Sequence, residues 1–196
     1  MTLPESLDRA DHALNEVCDA TEVDWVIVDN KTQLLLEYFS TALEHQAAII
    51  LLVRNNLRGS ALALVRSVFE IVYRSLWVQF CATSEQADKI KKGPFDFPFM
   101  GQMVSEVDKT LATSFFSEIK RLSWGIQNDF THTGRLQRIG RVAGTGGQHI
   151  DYPDKGMILQ IDCVAQVVVI YSIVLAKSHG HDAAGERLDK LAASFT

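Results

Sequence analysis

Residues 157–176 read MILQIDCVAQVVVIYSIVLA, and apolar side chains cover most of the circumference of the helix that this stretch predicts. A helix that is apolar nearly all round must be buried on several sides, in a protein core or in a membrane. Two glutamines and an aspartate interrupt the stretch, so we interpret it as a core helix and expect no membrane span. Pro153 before it and Gly180 after it predict a helix that ends near Ser178.

Apolar residues at three- and four-residue spacing predict three further long helices. Asn55-Asn56 ends the first of them, Ser60 is the expected N-cap of the second, and Gly134 is the expected end of the third. Short helices are expected after Pro4, after Thr83-Ser84 and near the carboxyl terminus. The three long helices are expected at about Asp29–Arg54, Ser60–Ala82 and Ser114–Thr133.

This pattern predicts an all-α protein, an up-and-down helical bundle with additional short helices, in a single domain of residues 1–196 with its core at about 29–178. Three phenylalanines and two prolines in Pro94–Phe99 predict a loop whose rings dock on the bundle. Because several helices need cover on more than one side, a second subunit is the expected source of that cover. We therefore expect a homodimer.

Composition and charge restrict the class of protein. The chain has 196 residues, of which 47% are hydrophobic and 22% charged, with a net charge of −5, so its whole surface does not attract nucleic acid or anionic lipid. We interpret its three cysteines, an odd number in apolar surroundings, as reduced and buried thiols. No secretory signal is apparent in the first residues, and the expected location is the cytoplasm.

Three charged residues on the third predicted helix form a candidate ligand-binding row. Arg66, Glu70 and Arg74 lie four residues apart and therefore share one helix face, and Trp77 follows them. One interpretation is an exposed ladder of ion pairs with little energetic weight. The other is a preorganised arginine, held by Glu70 and directed at an anion.

A second candidate site lies near Gly134. Asn128 and His132 are four residues apart, and a histidine in the last turn of a helix can exchange a proton near neutral pH. A capping or packing role for His132 is the alternative. Arg135 and Arg138 follow directly and either bind phosphate or only make the surface soluble.

Other kinds of site have little support in the sequence. The chain has no paired-cysteine or HExxH zinc motif, and no Lys-Ser/Thr follows its glycine-rich segment. We expect no metal and no cofactor.

Two stretches together resemble an uncharacterised bacterial helical family. The first, residues 59–70 (GSALALVRSVFE), matches its small-Ala-Leu-x-Arg-x-x-x-Glu helix, and the second, residues 128–134 (NDFTHTG), matches its Thr-His-Thr-Gly segment. Such proteins look related to the HEPN superfamily, and the similarity extends from about Asp29 to Lys177. The resemblance implies a helical bundle that dimerises and, in many members, metal-independent cleavage of RNA by an arginine and a histidine at the dimer cleft.

Carried onto this chain, the resemblance implies that His132 is the acid or base and that Asn128 assists it. The superfamily pattern has an arginine a few residues before the histidine, whereas the nearest one upstream here is Arg121, eleven positions away. Arg66 or Arg135 would therefore have to stabilise the phosphate.

Three hypotheses follow. The first is a HEPN-like dimeric binding or regulatory module whose Arg66–Glu70–His132 cleft holds RNA, a nucleotide or another anion. The second is a metal-independent endoribonuclease of the toxin or defence type. The third is a structural interaction protein in which the polar row is a buried ion network that fixes helix register.

Overall fold

The helical prediction is confirmed by a computed structural model, which describes residues 1–131 and 152–195. In the helix that ends at Thr131, the side chains of residues 126 and 128–131 are outside the described part. The described residues form eight α-helices and contain no β-strand. The helices are α1 (Leu3–Ala20), α2 (Asn30–Arg54), α3 (Arg58–Phe80), α4 (Ser84–Lys92), α5 (Met100–Thr110), α6 (Phe115–Thr131), α7 (Asp154–Ser178) and α8 (Asp182–Ala193).

Side-chain capping explains several of the helix starts. The Asp29 carboxylate accepts a hydrogen bond from the backbone N–H of Thr32 and begins α2. Thr83 and Gln86 form a reciprocal capping box at α4. The prediction for Ser60 was wrong, because α3 begins two residues earlier at Arg58, and Ser60 lies inside its first turn. Asn56 has a positive φ of 59°, and α3 begins directly after this turn with Leu57 as its N-cap residue and without a side-chain cap.

Helix α7 lies in the core of the bundle. It packs against α1, α2, α3 and α8. It is long and apolar enough to cross a membrane by length and composition, but 61% of its most apolar window is buried within the fold, as in the core helix of a globular bundle. Most of the cover that α7 needs therefore comes from the same chain. The homodimer stays a prediction.

Helix α5 was not predicted from the sequence. It is short, and its only apolar face consists of Met103, Val104 and Val107, which are buried. The buried carboxylate of Asp108 on this helix accepts hydrogen bonds from the backbone N–H groups of Phe116 (3.2 Å) and Ser117 (2.8 Å). Because these N–H groups belong to the first turn of α6, Asp108 joins α6 to α5.

The loop between α4 and α5 docks on the bundle, as predicted, but only in part. The rings of Phe95 and Phe97 are half-buried and pack against the core, whereas Phe99 is 88% exposed. The interpretation of the cysteines as buried was wrong, because Cys18 lies exposed on the outer face of α1 and Cys81 and Cys163 are only partly buried. All three cysteines are free thiols.

Candidate functional site

The charged row on α3 forms one connected ion-pair cluster. Arg66 Nε donates a hydrogen bond of 2.7 Å to Glu70 Oε1, and Arg74 Nη2 lies 3.4 Å from Glu70 Oε2. The side chains of Arg66 and Arg74 are 17% and 40% exposed, so the row is neither fully solvated nor closed off from solvent. One carboxylate therefore holds two partly buried guanidinium groups on the same helix face.

Aromatic rings fix the guanidinium groups from neighbouring elements. The Arg66 guanidinium lies 5.0 Å from the ring centre of Trp124 on α6, and that of Arg74 lies 5.3 Å from the ring centre of Phe97. The Lys120 ammonium group lies 5.5 Å from the Trp124 ring. Such cation–π contacts restrict the orientation of the charged groups without using their hydrogen-bond donors.

The row lies along an open groove of about 330 Å³ between α3, the start of α5, α6 and the loop before α5. This volume is at the lower end of the range typical of small-molecule sites. The groove combines the three charged residues with aromatic and apolar walls. It is lined by Arg66, Glu70, Arg74, Phe95, Asp96, Phe97, Pro98, Phe99, Met100, Met103 and Trp124.

Trp77 supports the aromatic wall and does not line the groove. Its ring is buried and contacts the rings of Phe95 and Phe97 at 6.3 and 5.9 Å between centres. Its indole N–H donates a hydrogen bond of 2.7 Å to Glu106 on α5. Hydrogen bonds from Gln102 and from Trp77 lower the pKa of Glu106. Trp77, predicted as a ligand-binding residue, thus contacts the residues of the wall.

Arg74 has donor capacity that the described residues do not use. Its single polar contact in the described part of the chain is the 3.4 Å ion pair with Glu70, and its Nε atom is buried with no hydrogen-bond partner there. A guanidinium has five N–H donors, and a buried donor without a partner is unfavourable. Because the Arg74 side chain is 40% exposed and lines the groove, an anion there can accept hydrogen bonds from its accessible N–H groups.

The second set of predicted residues is only partly within the described structure. Helix α6 packs against α3, so these two helices lie side by side. Asn128 lies on α6, one turn after Trp124, but its side chain is outside the described residues. His132, Arg135 and Arg138 also lie outside them, and their proximity to Arg66 stays a prediction.

The sequence analysis did not predict the side of the groove that lies opposite the charged row. Asp96 and Phe99 line the groove, yet the sequence analysis interpreted their segment only as a loop that docks on the core. The phenylalanines at 95, 97 and 99 could have indicated this wall. A segment with an aromatic ring at every second position has rings on two sides, and only one side can pack on the core. Among residues 1–131 and 152–195, no cluster of three metal-ligating side chains is present.

The comparisons with known proteins give a family but no function. No curated protein and no solved structure matches the chain. Residues 39–196 match the family of unknown function DUF6988, and this range includes the whole charged row, the groove and α7. The chain therefore belongs to the DUF6988 family.

Proposed function

We propose that the protein is a HEPN-like dimeric binding module whose groove holds an anionic ligand, such as a nucleotide or a segment of RNA, against Arg66 and Arg74. The observation that carries the proposal is the partly exposed Arg74, which lines the groove with donors that no residue in the described part of the chain accepts. Arginine is suited to phosphate because its planar fork matches two phosphate oxygens.

The surroundings of the row support binding rather than a purely structural role. A buried ion network that fixes helix register keeps its charges away from solvent, whereas the side chain of Arg74 is 40% exposed and lines the groove. The aromatic side chains of Trp124, Phe97 and Phe99 also line the groove. Rings of this kind are suitable surfaces for nucleic-acid bases.

The test is direct binding of fluorescein-labelled single-stranded RNA, measured by anisotropy in the presence of EDTA. We expect Arg74→Gln to weaken binding about tenfold or more, because hydrogen bonds to charged groups typically contribute about 1.5–3 kcal/mol. The matched control is Arg187→Gln. Arg187 is similarly exposed and ion-paired, but its partners are Glu16 and Asp19, outside the groove. Equal affinities of the two variants would contradict the proposal.

The packing of α6 against α3 favours one alternative, a metal-independent ribonuclease in which His132 acts with Arg66 or Arg135. The same incubation tests it when the RNA is afterwards separated on a denaturing gel. A ribonuclease requires cleavage that persists in EDTA and is lost in His132→Ala while binding is retained. Cleavage by both proteins, or by neither, would remove this alternative.

The dimer and the HEPN relationship are parts of the same proposal. Helix α6 packs on α3 and α5, and Leu122 on its outer face is 65% exposed, which makes this face a candidate contact between two copies. Sedimentation equilibrium of the wild type and of Leu122→Asp measures this. We expect the substitution to dissociate the dimer, and a wild-type monomer at micromolar concentration would contradict the dimer.

A further inference from the structure

Asp96 places a carboxylate on the side of the groove that lies opposite the charged row. It is exposed and lines the groove, and it has no hydrogen-bond or ion-pair partner among residues 1–131 and 152–195. Because like charges repel, this carboxylate disfavours a ligand that carries acid groups along its whole length. It favours a ligand that has an acid group at one end and presents N–H or O–H donors at the other.

Phe99 supplies an aromatic surface close to Asp96 in the sequence. Its ring is 88% exposed and lines the groove. The other rings of the loop and of α6 already have neighbours, since a guanidinium group lies on Phe97 and another on Trp124, and Phe95 packs on Phe97. In the described part of the chain, neither a ring nor a charged group lies on the ring of Phe99. A planar ligand group can therefore stack on it.

Arg74 supplies the subsite for the acid group. Its side chain is 40% exposed, and its ion pair with Glu70 leaves N–H groups for a phosphate. Arg66 is not required for this contact, because its guanidinium is 17% exposed and is held by Glu70 and Trp124. The groove thus combines one anion subsite, one ring surface and one carboxylate, which is the pattern needed for the phosphate, the base and the donors of a nucleotide.

The carboxylate distinguishes between the four bases. It has two acceptor oxygens side by side and no donor. Guanine presents two adjacent donors to such a pair, its N1–H and its N2 amino group. Adenine and cytosine present an amino group beside a ring nitrogen that accepts, and uracil presents one N–H between two carbonyl groups. Each of these three bases would bring at least one acceptor against the oxygens of Asp96.

We propose that the groove recognises a guanine nucleotide, with its phosphate on Arg74, its base on Phe99 and the two donors of the base on Asp96. The volume of about 330 Å³ lies in the range of sites for small molecules, which suits one nucleotide. The inference rests on the proposed function, because it specifies the ligand of that same groove. A free nucleotide and a guanosine within an RNA strand share this chemistry, and the experiment distinguishes these two sources.

The experiment is isothermal titration calorimetry with the 5′-monophosphates of guanosine, inosine, adenosine and uridine at constant ionic strength. All four carry the same phosphate, so a difference in affinity reports on the base. We expect guanosine monophosphate to bind about tenfold more tightly than the adenosine and uridine compounds. Inosine monophosphate keeps the N1–H but lacks the amino group, and its affinity should lie between these values.

Asp96→Asn is the decisive variant. The amide keeps the size of the side chain but replaces one acceptor by a donor, so the preference for guanosine monophosphate should shrink to about twofold or less. Asp24→Asn is the matched control, because Asp24 is also exposed but lies between α1 and α2, outside the groove. It should retain the preference of the wild type.

Two further variants test the other contacts. Arg74→Gln should weaken all four monophosphates about tenfold and leave the preference between them unchanged, because it removes only the phosphate contact. Phe99→Leu should weaken them about fivefold, because an aliphatic side chain provides no surface for stacking. Thermal unfolding of each variant confirms that it is folded.

A fluorescein-labelled oligouridine with one central guanosine distinguishes the two sources of the ligand. Tighter binding of this strand than of guanosine monophosphate identifies RNA, and the opposite order identifies a free nucleotide.

The outcomes separate the two proposals. Equal affinities of the wild type for the four monophosphates, tighter binding of the adenosine or uridine compound, or a preference that Asp96→Asn leaves unchanged overturns this inference. If Arg74→Gln still weakens binding in that case, the proposed anion-binding function stands. Failure of the wild type to bind any of the monophosphates or the labelled RNA overturns the proposed function itself.

Discussion

Two polar clusters of this fold each combine a carboxylate, an arginine and an aromatic ring, but their carboxylates join different parts of the fold. In the groove, Glu70 holds Arg66, whose guanidinium lies on the ring of Trp124. Between α1 and α7, Asp162 holds Arg9 at 2.6 Å, and the Arg9 guanidinium lies 5.0 Å from the ring centre of Phe195.

The partners of the carboxylates differ. Asp162 is 15% exposed and accepts a further hydrogen bond of 2.9 Å from Ser6, so both of its oxygens contact α1. This cluster joins two helices that are far apart in the sequence. In the part of the chain that the structure describes, both partners of Glu70 belong to its own helix, so its carboxylate joins no helices there. The comparison indicates that the first cluster stabilises the fold, whereas the second joins no helices through its carboxylate among the described residues, as we expect of the ligand site that we propose.

The largest expected effect is the loss of stability when the carboxylate of Asp162 is removed, compared with removal of the carboxylate of Glu70. Asp162→Ala leaves the half-buried Arg9 and the buried Ser6 without their partner and should lower the free energy of unfolding by about 2 kcal/mol. Glu70→Ala removes only contacts within one helix and should lower it by less than about 1 kcal/mol. Chemical denaturation of the two variants measures both values.

The opposite order of the two losses in stability would contradict this comparison. If Glu70→Ala were the more destabilising substitution, the row on α3 would be a structural network, as in the third hypothesis of the sequence analysis. Asp162→Asn is the useful control, because the amide retains one acceptor for Ser6 and should recover part of the loss.

The next prediction concerns Asp108, which lies outside the groove but caps α6, the helix that carries Trp124. Asp108→Ala removes the cap from the first turn of α6 and should lower the free energy of unfolding by about 1–2 kcal/mol. Because α6 carries Trp124, the affinity of the groove for labelled RNA should fall as well. Asp108→Asn should restore most of both, since asparagine is also a good cap. A loss of stability with unchanged affinity would mean that the position of α6 does not affect the groove.

The sequence predicted the helices more fully than the site, for a physical reason. A long helix has a repeated apolar period, and α2, α3 and α7 each repeat it over many turns. Helix α5 has only three turns and begins directly after a loop rich in phenylalanine, so its period is hard to recognise.

The charged row was predictable because its members lie four residues apart on one helix. The opposite wall was not, because Phe97 and Trp124 reach the row from other elements through tertiary packing. The role of Asp108 could not be predicted either, since its partners belong to the first turn of another helix. Contacts between elements depend on how the helices are arranged, and spacing within one helix does not reveal that arrangement.

A smaller effect on ligand affinity is expected when the aromatic ring that contacts the Arg66 guanidinium is changed. Trp124→Phe keeps an aromatic ring but weakens the cation–π contact with Arg66, which should reduce the affinity for labelled RNA about two- to threefold. Trp25→Phe is the matched control, because Trp25 lies against His179 and His181, outside the groove. The change in tryptophan fluorescence on ligand binding should be largely lost in Trp124→Phe and retained in Trp25→Phe. The opposite pattern would place the ligand away from the row.

The smallest effect concerns Asp29, whose carboxylate accepts hydrogen bonds only from Thr32 among the described residues. Hydrogen bonds from the backbone and the hydroxyl of Thr32 lower the pKa of Asp29 in the folded protein. A carboxylate with a lowered pKa stabilises the fold above its unfolded pKa of about 3.9, and this contribution is lost as the pH falls through the folded value. The wild type should therefore be more stable than Asp29→Ala by about 0.5–1 kcal/mol at pH 7, and the difference should shrink below about pH 4. Denaturation curves at pH 7, 5 and 3 measure this, and a difference that grows toward acid would show that the cap acts through the neutral acid.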